Sequence, residues 1–315
     1  MAPSNQASVA GLPDINSILL PLSIIGFLLQ WGTMLVQGSL TQYITVAWQG
    51  YFPSGTPVKN VWTGVFPLDL PLVILVAFFQ SPAFWQMLWG FFGVASAVST
   101  YTRLYIRHRL PNSPSIPFDQ AQALPFTAVL QILLVPVVVA PYILGATLTQ
   151  VAYGTVAYFL SPLIAGPFQD LISNLIARIG PIFANPVVLS YYIVGTFSAV
   201  VHWAVVLFTF RSPELDLFTL YVPNPSLVRR GSSTQISESG HHFIQYGYLF
   251  FNIAVLILGK CVFTLDKKVA GRAQANHPLL TVAAITLVGG PGAGMAWILS
   301  KRESTMATRA PVKDY

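Results

Sequence analysis

Residues 186–210 read PVVLSYYIVGTFSAVVHWAVVLFTF, a stretch without a single lysine, arginine, aspartate or glutamate. An apolar helix needs about 20 residues to cross the hydrocarbon core of a bilayer. The stretch is therefore predicted to be a transmembrane helix. The whole chain shares its character, because only 8% of the 315 residues are charged, 54% are apolar and the mean hydropathy is +0.63.

The scarcity of charge decides the class of protein. Soluble domains carry about 25% charged residues, so most of the surface of this chain is expected to face lipid. The net charge of +6 does not indicate a nucleic-acid-binding protein, because the basic residues are scattered along the chain. A disulfide scaffold is excluded because Cys261 is the only cysteine.

Eight stretches approach the length of a membrane span. We therefore expect an all-α polytopic membrane protein, a helical bundle of about seven to eight transmembrane helices in a single integral membrane domain over residues 1–315. No basic region precedes the first stretch, which is typical of a retained anchor rather than a signal peptide. The stretches are 17–38, 61–80, 83–100, 124–148, 149–166, 186–210, 243–265 and 278–299.

Three further features refine this topology. Pro136, Pro141 and Gly145 offer places where the long apolar tract 124–166 can bend or turn. Residues 168–180 have an apolar and a polar face and are predicted to form a short interfacial helix. The glycine-rich GGPGAG at 289–294 makes a re-entrant segment the alternative to a full eighth crossing.

Lysine and arginine counts do not orient the chain. With eight full crossings and the N-terminus outside, one side of the membrane receives eight basic residues and the other receives seven.

Ionisable groups at membrane depth are costly, and they usually mark a functional site. Asp69 is the only carboxylate inside an otherwise apolar span. It is either a buried acid that can protonate a substrate or the N-cap of a helix that restarts at Leu70. His202, next to Trp203 in the sixth span, is either a proton relay or a hydrogen-bonding link between helices.

The seventh span carries a polar stripe. Gln245, Tyr248 and Asn252 lie within about 60° of one another on a helix, with Lys260 further along the same face. The stripe either lines a cavity or bonds to neighbouring helices. Glu238, His241 and His242 precede this span, where Glu238 is either an acid at the cavity mouth or part of a solvated loop end; the two adjacent histidines do not make a metal site.

Several familiar catalytic signals are absent from the sequence. The chain contains no glycine-rich phosphate loop with lysine, no GxSxG and no aspartate-rich cluster for a magnesium-bound diphosphate. A cyclase that ionises a diphosphate needs such carboxylates, whereas one that protonates an epoxide needs a buried acid and an aromatic wall. Aromatic faces can stabilise a carbocation, and 13% of the residues are aromatic.

The stretch LFTLYVPNPS at 217–226, followed by ESGHHFIQYGYLFFNIAVLILGK at 238–260, resembles small fungal integral-membrane terpene cyclases of meroterpenoid pathways, particularly the ascofuranone and ascochlorin type. The resemblance implies proton-initiated opening and cyclisation of an epoxidised farnesyl chain on an aromatic, without metal or redox cofactor. It also implies a location in the endoplasmic reticulum and a pathway with a prenyltransferase and an epoxidase.

The same resemblance directs attention to particular residues. Related sequences carry an acid in a QYDY-like position where this chain has Gly247, which shifts the role of the catalytic acid to Asp69 or Glu238. We therefore predict Asp69, Glu238 and His202 as catalytic residues. The predicted substrate-binding residues are Gln245, Tyr248, Asn252 and Trp203. Two other functions stay open, a carrier of lipophilic molecules without catalysis and a non-catalytic membrane scaffold.

Overall fold

The computed structural model describes residues 15–42, 94–110, 116–212, 216–232, 235–270 and 278–307. Asp69, the predicted span 61–80 and most of the predicted span 83–100 lie outside these ranges. Within them every regular element is helical. The helices are α1 (Ile15–Phe27), α2 (Thr33–Val36), α3 (Val94–Leu104), α4 (Phe118–Ile143), α5 (Leu148–Ile179), α6 (Pro186–Arg211), α7 (Leu217–Tyr221), α8 (Gln235–Ala270) and α9 (Pro278–Ala307).

The described residues are all-helical, as predicted, and five of their helical segments are long and apolar enough by length and composition to cross a membrane, against the seven to eight crossings predicted. They are Ser17–Val36, Phe118–Val137, Pro186–Arg211, Glu238–Thr264 and Pro278–Met306. The first runs from α1 into α2 through a π-helical turn, Leu28–Gly32.

The helices α4 and α5 form an antiparallel pair. The chain turns at Gly145, whose φ of 67° suits glycine, and α5 then starts with a capping box between Thr147 and Gln150. The prediction of a short interfacial helix at 168–180 is wrong, because these residues belong to α5, which runs unbroken to Ile179. The change from apolar to amphipathic composition marks a change of environment along one helix rather than a boundary between two.

The N-terminus of α8 corrects a second prediction. The segment with Glu238, His241 and His242 belongs to this helix rather than to a loop, because α8 starts at Gln235. Polar residues are tolerated in the first turns of α8 because α2 and the residues that follow α2 provide their hydrogen-bond partners. Gln235 Nε2 donates to the Gln37 carbonyl at 2.7 Å, and the hydroxyls of Ser239 and Ser39 are hydrogen bonded.

The helix α9 is folded back on itself at Gly290. In a straight helix, residues 286 and 294 would lie about 12 Å apart, yet a Cβ at Gly294 would lie 3.1 Å from the Thr286 Cβ. Gly290 has non-helical backbone angles, with φ 79° and ψ 165°, and Pro291 supplies no amide for a continuous hydrogen-bond ladder. The two arms, 278–289 and 291–307, therefore form a helical hairpin, as in the re-entrant alternative. Each arm is shorter than the roughly 20 residues of a full crossing, so Pro278–Met306 reaches the length of a span only when both arms are counted.

Packing against α8 confirms the hairpin independently. A Cβ at Gly259 would lie 3.1 Å from Val282 Cγ2 and 3.3 Å from Ile298 Cδ1, so both arms meet the same point of α8. Residues 282 and 298 of a straight helix would be about 24 Å apart. Val282 and Ile298 belong to the main apolar core, and Gly259 borders it. This core also contains Leu19, Ile106, Val255, Leu258 and Val262.

The helices give the bundle two ends. The α7 end holds residues 37–42, 144–147, Ser212 and 216–232, and is marked by the hydrogen bond between Gln235 and Gln37. The α5–α6 end holds residues 104–110, 180–185 and both ends of α9. Within this end, Arg302 Nη1 donates a hydrogen bond to the Tyr105 hydroxyl at 2.8 Å. The α9 hairpin enters from the α5–α6 end, and its tip points toward the α7 end.

A candidate active site at the tip of the α9 hairpin

His202 lies on α6 opposite the tip of the α9 hairpin. A Cβ at Gly290 would lie only 3.2 Å from His202 Cβ and 3.3 Å from His202 Nδ1, so only glycine lets the tip approach this closely. The carbonyl of Leu287 stands four residues before Pro291, which has no amide to donate to it. The His202 ring lies close to this carbonyl, so a polar group from α6 faces the break in α9.

Two tyrosines complete a cluster around His202. The Tyr221 hydroxyl, at the end of α7, lies 3.3 Å from His202 Nδ1, and the tautomer of the ring decides which group donates. The ring of Tyr248 on α8 is parallel to that of His202, with 6.4 Å between centroids. The Tyr221 and Tyr248 rings are 4.7 Å apart. We call His202, Tyr221 and Tyr248 the tip cluster.

The short helix α7 is held in place by hydrogen bonds. Asp216 caps it, because its Oδ1 accepts from the Thr219 amide at 2.6 Å. This bond lowers the pKa of the Asp216 carboxyl and keeps it ionised. On the other side, the Thr219 carbonyl accepts a 2.5 Å hydrogen bond from Gln245 Nε2 and lies 3.1 Å from His241 Nε2. Two side chains of α8 thus position the segment that carries Tyr221.

The tip cluster combines proton transfer with an aromatic surface. Burial, and then the nearby Tyr248, raises the pKa of Tyr221 to about 12, so its phenol is neutral and can donate a proton in a hydrogen bond. A histidine in contact with a neutral phenol can pass a proton along the pair. The faces of the two tyrosines can stabilise a cation that forms beside them.

The structure brings some of the predicted site residues together and separates others. His202 and Tyr248 belong to the tip cluster, and Gln245 anchors it from behind. Asn252 donates to the Tyr248 carbonyl of its own helix at 2.7 Å. Trp203 is 46% exposed, and among the described residues no ring contact joins it to the cluster.

Glu238 makes an ion pair at the surface of the α7 end. Its Oε1 accepts from Arg229 Nη2 at 2.6 Å and from Arg229 Nε at 2.8 Å, and its Oε2 accepts from the Arg229 amide at 2.8 Å. Both carboxylate oxygens are therefore occupied. The pair links the start of α8 to the loop that follows α7.

Gly247 faces α1 rather than the tip cluster. A Cβ at this position would lie 3.3 Å from Gln30 Nε2 and 3.4 Å from the Cβ of Val94. Gln30 is 1% exposed and bridges the helices, because its Nε2 donates to the Phe243 carbonyl and its Oε1 accepts from the Ala95 amide. A buried amide therefore occupies the space next to the position where the family pattern has an acid.

Tyr221 was not predicted as a site residue. It lies in the stretch 217–226 that carried the resemblance, but a lone tyrosine outside the predicted spans gives no sign of its partner 19 residues earlier. Within the described residues, no group of three or more histidine, cysteine, aspartate or glutamate side chains is placed to hold a metal.

A comparison with known proteins gives a distant relative. The chain is similar to terpene cyclase DEP1 of Fusarium langsethiae, with 21% identity over an alignment that covers 92% of this chain and 98% of the relative. No protein-family model matches the sequence, and no solved structure matches it. The similarity extends well beyond residues 217–260, and the name of the relative agrees with the broad resemblance to terpene cyclases.

Proposed function

We propose that the chain is a membrane-bound terpene cyclase. The observation that carries the proposal is the tip cluster, a histidine-tyrosine pair at 3.3 Å beside a second tyrosine ring on apolar helices. Such an arrangement suits a reaction that starts with a proton and proceeds through a cation. The alignment with a protein named terpene cyclase over 92% of the chain supports the same class of reaction.

The proposed reaction opens the epoxide of a farnesyl chain on an aromatic meroterpenoid intermediate and closes a ring, as in cyclases of the ascofuranone and ascochlorin type. A carboxylic acid protonates the epoxide oxygen as its C–O bond breaks. A hydroxyl or alkene carbon of the same molecule attacks the carbon that becomes cationic. Loss of a proton to a base completes a product of equal mass. The enzyme would work in the endoplasmic reticulum, after a prenyltransferase and an epoxidase.

The roles of the residues follow from their surroundings. Asp69, which lies outside the described residues, is the proposed acid. Glu238 is assigned a structural role, because Arg229 from the loop after α7 binds both of its carboxylate oxygens. His202 with Tyr221 is the proposed base and relay, and Tyr248 supplies a face for the cation. Gln245 positions α7 rather than touching the substrate.

The test uses microsomes that contain the full-length protein and an epoxidised farnesyl phenol as substrate. We expect a new product with the mass of the substrate, and we expect Asp69→Asn to abolish it while the protein accumulates normally. Tyr192→Phe is the control, because Tyr192 is 53% exposed on α6, away from the cluster. Full product yield from the Asp69→Asn protein would remove Asp69 from the mechanism.

One observation favours a second function, a carrier for lipophilic molecules. The helix α9 is broken at Gly290, and broken helices line the substrate sites of many transporters. A carrier would leave the epoxide intact while changing its distribution between vesicle and medium. Recovery of only unchanged substrate, together with protein-dependent uptake, would support the carrier and overturn the cyclase.

A further inference from the structure

A groove of about 420 Å³ opens at the α7 end of the bundle. This volume falls within the range of about 300–1,000 Å³ that is typical of small-molecule sites. No member of the tip cluster lines the groove. Its lining residues are Leu28, Gly32, Thr33, Val36, Gln37, Pro225, Val228 and Arg230.

The wall contributed by α1 and α2 is apolar. Leu28 and Val36 are 58% and 72% exposed, so their side chains are available to an apolar molecule. The polar groups of this wall already have partners, since the Thr33 hydroxyl donates to the Gln30 carbonyl and Gln37 Nε2 donates to the Pro225 carbonyl. Gly32 adds no side chain, and nothing lies within 4 Å of the place where its Cβ would be.

The wall formed by residues 225–230 carries the positive charge of Arg230. Arg229 and Arg230 are adjacent, but the carboxylate of Glu238 neutralises only Arg229. Among the described residues, no carboxylate pairs with Arg230, whose side chain is exposed at the groove. An arginine at the end of a membrane helix bundle reaches the headgroup level of the bilayer, where it attracts anions.

We propose that the groove binds an anionic amphiphile, with its acidic head at Arg230 and its apolar chain along Leu28 and Val36. The lining supports this orientation, because the same opening is bounded by the charged Arg230 and by the apolar side chains of Leu28 and Val36. Such a molecule is either an acidic lipid of the surrounding membrane or a prenylated aromatic acid. The inference does not depend on the proposed cyclase activity.

The test is photo-crosslinking of the purified full-length protein in neutral detergent. The probe is palmitic acid with a diazirine in its chain, and the matched neutral probe is its methyl ester. We expect saturable labelling of peptides from 28–37 and 225–230, at least tenfold stronger with the acid than with the ester. The substitution Arg230→Gln should reduce this preference to less than threefold.

A second substitution tests the shape of the groove. Gly32→Phe should fill the space next to Gly32 and reduce labelling at least tenfold. Gly166→Phe is the matched control, because Gly166 is also helical and also has nothing within 4 Å of its Cβ position, and it should label like the wild type.

Two results would overturn the proposal. The first is equal labelling by the acid and the ester, and the second is an unchanged preference for the acid in the Arg230→Gln protein. The Arg230→Gln result stands even where Gly32→Phe fails to fold, since an exposed arginine is not needed for packing. Competition with phosphatidic acid or with a farnesylated hydroxybenzoic acid then identifies the source of the ligand, because the natural class displaces the probe at the lower concentration.

Discussion

The hydrogen bond between Tyr221 and His202 is the most specific contact of the candidate site. Tyr221→Phe removes the hydroxyl while the ring can still pack against Tyr248 at 4.7 Å. We expect product formation in microsomes to fall at least tenfold, because the proton relay is broken. Stability should fall by only about 1 kcal/mol, the usual net contribution of one hydrogen bond. Thermal unfolding in detergent separates the two effects, and wild-type turnover in this variant would remove Tyr221 from the mechanism.

The ionisation of Tyr221 predicts how stability depends on pH. Burial and Tyr248 raise its pKa from 10.0 to about 12 in the folded protein. Between these values the unfolded chain has lost the proton and the native protein retains it, so stability must fall as the pH rises from 10 to 12. We expect a steeper fall for the wild type than for Tyr221→Phe in thermal unfolding. Identical slopes would show that the Tyr221 hydroxyl is solvated.

The site residues that could be predicted from the sequence were those identified by the pattern within a single helix. His202 stood out as an ionisable residue in a span, and the spacing of Gln245 and Tyr248 placed both on one face of α8. Tyr221 could not be found in this way, because its role depends on α7 being anchored by Gln245 through the Thr219 carbonyl. Contacts between separate elements leave no periodic signal in the sequence.

The hairpin of α9 can be tested at the scale of the element. The Cβ atoms at positions 286 and 294 would be 3.1 Å apart, close to the separation of about 3.5–4.5 Å found in disulfides. We therefore expect Thr286→Cys together with Gly294→Cys to form an intramolecular disulfide under mild oxidation, detected by mass spectrometry of the peptides. The single substitutions serve as controls. Failure of the pair to crosslink in folded protein would favour a straight α9.

The helix boundaries show where composition misleads. The apolar cores of α6 and α8 were predicted, since each contains a long uncharged run. The start of α8 was missed because Gln235 and Ser239 are polar, although both are buried against the segment that follows α2. A polar turn that is satisfied by another helix has the same sequence character as a solvated loop, so only the packed structure tells them apart.

At the scale of the whole molecule, the α9 hairpin determines the distribution of charge. A straight α9 would carry Lys301 and Arg302 to the α7 end, but the folded helix returns them to the α5–α6 end. Among the described residues, this end then has eight basic residues and the α7 end has three. The first group is Arg103, Arg107, Arg109, Arg178, Lys267, Lys268, Lys301 and Arg302, and the second is Arg211, Arg229 and Arg230.

The positive-inside rule then predicts that the α5–α6 end faces the cytoplasm and the α7 end faces the opposite side. Glycosylation mapping can test this without background, because the sequence contains no Asn-Xaa-Ser/Thr site in which Xaa is not proline. An acceptor site in a flexible spacer after Gly231 should be glycosylated in microsomes, and the same insert after Pro181 should not. The reverse pattern would place the tip cluster and the groove nearer the cytoplasmic side, and a substrate made in the cytosol would then reach them without crossing the membrane.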